Sequence, residues 1–157
     1  MIDITLDSLL NFMREHQYEA EIQVDTQQVY TILKIADKEY PLFLRVFDEG
    51  YLLQLLVFIP CQMKREVIPD MARLLHLLNK ELDLPGFGMD EVAGVIFYRL
   101  MLPTNKKQLP ANLLETFIKT IENVCQMFAA PIEAVGYGLT TLEEILTKAK
   151  ELESERK

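Results

Sequence analysis

Leu42-Phe-Leu-Arg-Val-Phe47 and Leu52-Leu-Gln-Leu-Leu-Val-Phe-Ile59 decide the fold of this chain, because in both the face that ought to be wet is apolar too. Side chains alternate between the two faces of a strand. One set is Leu42, Leu44 and Val46 with Leu53, Leu55, Val57 and Ile59; the other is Phe43, Arg45 and Phe47 with Leu52, Gln54, Leu56 and Phe58. Residues 29–35 and 95–102 divide in the same way. Val29, Leu33, Ile35, Ile96, Tyr98, Leu100 and Leu102 share one face; Tyr30, Ile32, Lys34, Val95, Phe97, Arg99 and Met101 share the other. An antiparallel sheet needs only one apolar face for a core and often leaves the other solvated. Here a second cover is required: a subunit, a client segment, or the chain's own tail.

Helical periodicity surrounds these strands. A first helix is predicted over about 6–16, capped by Thr5 or Asp3, with Leu6, Leu9, Leu10 and Met13 on one side. Residues 17–26 read as an extended or irregular link. Turns at Asp37-Lys38 and Asp48-Glu-Gly50 join the first three strands into an antiparallel meander. A second helix carries Pro69 in its first turn and a stripe of Ile68, Met71, Leu74, Leu75, Leu78 and Leu82, ending at Leu84-Pro-Gly86. Phe87-Gly-Met89 and the strand from Val95 make a second hairpin. A third helix spans about 110–129, with a break expected at Pro131 and Gly136-Tyr-Gly138. A last helix, about 142–156, opens with overlapping capping boxes, Thr140 with Glu143 and Thr141 with Glu144. The expected class is α+β: a five-stranded antiparallel sheet with helices on one face, in the order α-β-β-β-α-β-β-α plus a C-terminal helix. Residues 1–135 form the expected domain, and 136–157 an acidic helical tail that is not a separate domain.

The chain has 157 residues, half hydrophobic and a quarter charged, which suits one folded domain and excludes disorder. Sixteen basic against 24 acidic residues leave a net charge of −8, which argues against nucleic acid and anionic membrane surfaces as partners. The acidic start lacks the order of a signal peptide, and no apolar run approaches the ~20 residues a spanning helix needs. Cys61 and Cys125 have no metal-ligand or CxxC spacing and read as reduced thiols, so the expected compartment is cytoplasmic.

Leu78-Asn79-Lys-Glu-Leu82, Gly86-Phe87-Gly-Met89-Asp90, Gly94-Val-Ile-Phe-Tyr-Arg99 and Leu102-Pro103, with the upstream strand ending in Ile59-Pro60, together resemble the YbjN-type family. The resemblance covers about residues 6–130. It implies a fold related to type III secretion chaperones of the CesT or SycE kind. It also implies a small acidic cytosolic protein, often dimeric, that grips extended segments of other proteins. Part of the family is labelled sensory transduction regulator. The acidic tail departs from that pattern.

No catalytic, cofactor or metal site is predicted, and the chain reads as a non-enzyme. His16 and His76 lack a Cys, Asp or Glu at ligand spacing. Asp83, Asp90 and Glu91 read as turn residues rather than an acid–base cluster, and Gly86, Gly88 and Gly94 make no phosphate-cradling pattern. The candidate site is a protein-binding face: Tyr30, Lys34, Phe43, Arg45, Phe47, Gln54, Phe58, Phe97, Arg99 and Met101. In-register pairing is expected to align Lys34, Arg45, Gln54 and Arg99 in one polar row ringed by the aromatics. The first functional reading is a chaperone-like module, expected to be a homodimer, that grips an extended partner segment through this face or a strand edge. The alternative is a regulator with one fixed protein partner and the tail helix as a switch. The tail's apolar stripe of Leu142, Ile145, Leu146, Ala149 and Leu152, flanked by glutamates, matches the face in grease and opposite charge.

Overall fold

In the computed structural model, which describes residues 1–156, the elements run β1 (Ile2–Asp3), α1 (Leu6–Glu15), β2 (Ala20–Gln23), β3 (Gln28–Ile35), β4 (Lys38–Phe47), β5 (Leu52–Ile59), α2 (Ile68–Glu81), β6 (Phe87–Asp90), β7 (Val95–Pro103), β8 (Gln108–Leu109), α3 (Ala111–Gly136) and α4 (Leu142–Glu155). β1 and β8 pair as a small ribbon, and the other six strands form one sheet in the order β2-β3-β4-β5-β7-β6. The α+β class is the one expected, but the sheet has six strands rather than five. The additional strand is β2, which pairs antiparallel with β3 from Ala20↔Thr31 to Gln23↔Gln28. Its run Ala-Glu-Ile-Gln has only one large apolar residue, so its pairing, rather than its composition, makes it a strand.

Two compact units make up the chain: Met1–Pro60 with Phe97–Gln126, and Cys61–Ile96 with 127–156. In the first, Thr5 is extended and its hydroxyl oxygen accepts the Ser8 amide at 3.3 Å, fixing the start of α1. α1 buries Leu9, Phe12 and Met13, and packs against β1, β2 and β3. The β3–β4 reversal falls at Ala36-Asp37, one residue earlier than expected, with φ of 51° and 62°. A two-residue loop with both φ positive follows the right-handed twist of its strands. Burial picks out the inward set as read from the alternation: Val29, Leu42, Leu44, Leu53, Leu55, Val57, Ile96 and Tyr98 lose all exposure. Each such side chain contributes roughly 1.5–3 kcal/mol. Leu114, Ile118, Ile121 and Cys125 of α3 are buried on the same core, with the Cys125 thiol close enough to Tyr98 for the two to interact electrostatically.

Within the second unit, Pro69 sits in the first turn of α2, and Met71, Leu74 and Leu75 are buried. Asn79 fastens β6 to this helix. Its Oδ1 accepts the amides of Gly86 and Phe87 at 3.1 and 3.0 Å, while its Nδ2 donates to the Phe87 carbonyl at 3.0 Å. Phe87 meets Phe128 edge-on at 6.1 Å. α3 continues through Pro131 to Gly136, past the expected break. Proline strands the carbonyl four residues back, and here that residue is Met127, at an exposed position where water can serve it. Gly136 is required by packing, since a Cβ there would overlap the Cys61 sulfur. α4 starts from Thr141 with the expected capping box to Glu144, its Leu142 buried and the Leu142 amide donating to Asp70 Oδ2 at 3.2 Å. Lys157, the last residue of the expected tail, lies outside the described residues.

Candidate functional site

Apart from Val95, the outward side chains of β3, β4, β5 and β7 belong to the first unit, and among them Tyr30, Phe43 and Phe58 form an aromatic cluster. Register sets Tyr30 opposite Phe43, and Phe43 opposite Leu56. Tyr30 stacks on Phe43 with 6.1 Å between ring centroids, and Phe58 meets Phe43 edge-on at 5.8 Å. Such aromatic contacts add roughly 0.5–1.5 kcal/mol to simple area burial. Phe47 lies opposite Leu52. These rings and Phe97 are half-buried, whereas Ile32 and Met101 are 43% and 41% exposed.

Two arginines lie on this apolar floor. The guanidinium of Arg45 is 4.7 Å from the ring centre of Phe47, and that of Arg99 is 5.6 Å from Phe97. Each rests on the aromatic residue two positions away along its own strand, the spacing that keeps both on one face. Both arginines are exposed, and neither has a carboxylate partner among the described residues. Arg45 faces Gln28 on one neighbouring strand and Gln54 on the other. Gln54 is only 9% exposed, so it is the buried polar centre of the patch.

The expected polar row is shorter than the sequence implies. Lys34 stands opposite Glu39, close to the Ala36-Asp37 turn, and is separated from Arg45 by most of the length of β4. Counting alternation alone assigns the face but not the position along it. At the β2 side, Tyr30 donates its hydroxyl to Glu21 at 2.7 Å, and that carboxylate raises the Tyr30 pKa. Ile32 shares the face although it lies outside the expected site. The same alternation that selected Tyr30 and Lys34 marks it.

Of the polar groups considered for chemistry, His16 and Asp90 have structural partners. His16 is the C-cap of α1, with Nδ1 2.8 Å from the Phe12 carbonyl and Nε2 3.6 Å from Glu115. His76 is exposed on α2. Asp90 Oδ1 accepts the amides of Val92 and Ala93 at 2.9 and 3.0 Å and shapes the β6–β7 turn. Among the described residues no three His, Cys, Asp or Glu side chains gather as a metal site, and no helix is long and apolar enough to cross a membrane. A contact without a sequence signal is the bond from the Tyr18 hydroxyl to Glu122, which ties the segment after α1 to α3; burial and that carboxylate together raise the Tyr18 pKa.

Comparison with known proteins supplies the relationship. The profile of the YbjN family, described as "Putative bacterial sensory transduction regulator", matches residues 5–134. The crystal structure of YbjN from E. coli, described as a putative transcription regulator, is similar with a TM-score of 0.64 at 10% identity, covering 88% of this chain and 96% of that one. The HopA1–SchA chaperone–effector complex contains a chain similar at a TM-score of 0.44 and 19% identity, covering 72% of this chain and 88% of that one. No curated protein matches. With more than three-quarters of its length inside the family profile and the fold of the E. coli protein, this chain belongs to the YbjN family.

Proposed function

We propose that this chain is a non-enzymatic, protein-binding regulator that holds an apolar segment of a partner polypeptide on the outward face of its sheet. The observation that carries the reading is the patch itself: Tyr30, Phe43, Phe58 and Phe97 half-buried, Ile32 and Met101 exposed, with Arg45 and Arg99 laid on aromatic rings and free of carboxylates among the described residues. Apolar surface gathered on one sheet face marks an interaction site more often than idle surface. Arginine and aromatic side chains are also the residues that dominate interface energetics. The partner segment is expected to be apolar and acidic, and binding to need no cofactor and to take place in the cytoplasm.

The reading is tested with an array of overlapping peptides, including acidic and aromatic ones, probed with the full chain and with Phe97→Asp and Arg99→Glu. Acidic apolar peptides should bind, and each substitution should weaken them by about tenfold or more while circular dichroism is unchanged. Binding that ignores both substitutions, or an array with no bound peptide, contradicts the proposal. A second reading, a regulator whose tail acts as a switch, has its own support. α4 is anchored at its start by Leu142 and Asp70, with Ile145 and Leu146 half-buried, while Leu152 beyond them is 53% exposed.

A further inference from the structure

We infer that the segment held by this face in the isolated protein is the distal half of α4 from a second copy of the chain, so that two copies mask each other's faces. The inference rests on the reading of the face as a protein-binding surface and names its occupant. Two incompletely packed surfaces of opposite character lie on one chain. The first is the aromatic face with its two arginines. The second is the end of α4. Leu142 is buried and Ile145 and Leu146 are half-buried, but from Ala149 onward every described residue is exposed, including Leu152.

The chemistry of that end fits the face. From residue 149 to 156 the tail carries Glu151, Glu153 and Glu155 against Lys150 and Arg156, so its acids outnumber its cations by one. At 100° per residue, Glu153 falls on the same side as Leu146 and Ala149, so the apolar stripe contains an acid. A helix C-terminus is itself negative, which adds to the attraction for Arg45 and Arg99. On a chain of net charge −8, few surfaces offer cations in an apolar setting, and this face does. Size agrees as well. Residues 149–155 rise about 10 Å along a helix, and the distance across β4, β5 and β7 is about 10 Å at ~4.8 Å between neighbouring strands. Because each copy carries both surfaces, the contacts can close about a two-fold axis into a dimer. A partner segment then competes with the tail for the face.

The test is the mass in solution, by light scattering over a dilution series, of the full chain, Leu152→Glu and Met101→Glu, with Phe97→Asp as a second face variant. The substituted side chains are at least partly exposed, and circular dichroism checks that each variant is folded. The full chain should have twice the chain mass at high concentration, and each variant should associate at least about tenfold more weakly. An equimolar mixture of Leu152→Glu and Met101→Glu should regain part of the association, because the intact tail of one chain then meets the intact face of the other. A full chain that stays monomeric overturns the inference, and so does a dimer that Leu152→Glu leaves unchanged, which would place the dimer contact elsewhere. If association fails yet acidic peptides still bind the face through Phe97, only the occupant is wrong; if the peptides fail as well, the face reading falls with it.

Discussion

Cys125 and Tyr98 show what the core does to single groups. Burial pushes both pKa values up to about 12, from ordinary values of 9.0 and 10.0. The unfolded chain releases these protons near its ordinary values while the folded chain keeps them. Their contribution to stability is therefore complete below about pH 9 and is lost as the pH rises toward 12, by up to about 1.4 kcal/mol per pH unit for Cys125. Urea melts from neutral to alkaline pH should show a falling midpoint over that window, and Cys125→Val should flatten the fall. Gly136 gives a second residue-level prediction. An added methyl meets the Cys61 sulfur, so Gly136→Ala should cost about 1–3 kcal/mol in thermal melts. Cys61→Ala in the same chain should recover most of that loss, because the two changes act on one contact.

α4 is held by few interactions, which makes its cap measurable. Thr141 Oγ1 accepts the Glu144 amide at 3.1 Å, and Glu144 Oε2 accepts the Thr140 hydroxyl at 2.6 Å and the Thr141 amide at 3.3 Å. These bonds favour the carboxylate and hold the Glu144 pKa below its ordinary value, the Thr140 bond most of all. Stability from a depressed acid is present above its ordinary pKa and lost as the pH falls through the folded value. Hydrogen exchange should therefore show α4 amides losing protection in acid. Thr141→Ala should loosen the same amides at neutral pH by about 1 kcal/mol. This element was legible in the sequence because capping chemistry is local. β2 was not, because its strand character comes from Thr31, Tyr30, Val29 and Gln28 alongside it rather than from its own residues. The passage of α3 through Pro131 was hidden for a related reason, since it depends on where Met127 lies and not only on proline's own preference.

For the molecule as a whole, the period of two in four strands separated the buried from the outward side chains almost without error, and the antiparallel α+β class followed from it. Val46 and Gln54 are the exceptions, the first assigned inward yet half-buried, the second assigned outward yet buried. What the period cannot supply is translation along the strand. Lys34 shares a face with Arg45 and sits far from it, whereas Gln28, Arg45 and Gln54 form the row that pairing creates. The candidate site was thus readable as a face and a composition, and its inner arrangement only from register. The central claim, that the outward face is a protein-binding surface and not core, meets its most direct test in two adjacent residues. Phe43→Asp and Leu44→Asp are compared by chemical denaturation together with affinity for an acidic apolar peptide. Phe43 is half-buried and Leu44 has no exposure at all. The account predicts that Phe43→Asp stays folded, within about 1–2 kcal/mol of the parent, and loses the peptide. Leu44→Asp should unfold the chain, because it buries a charge without a partner. If Phe43→Asp unfolds as Leu44→Asp does, or stays folded and binds the peptide like the parent, the outward face is not a binding surface and the account is wrong.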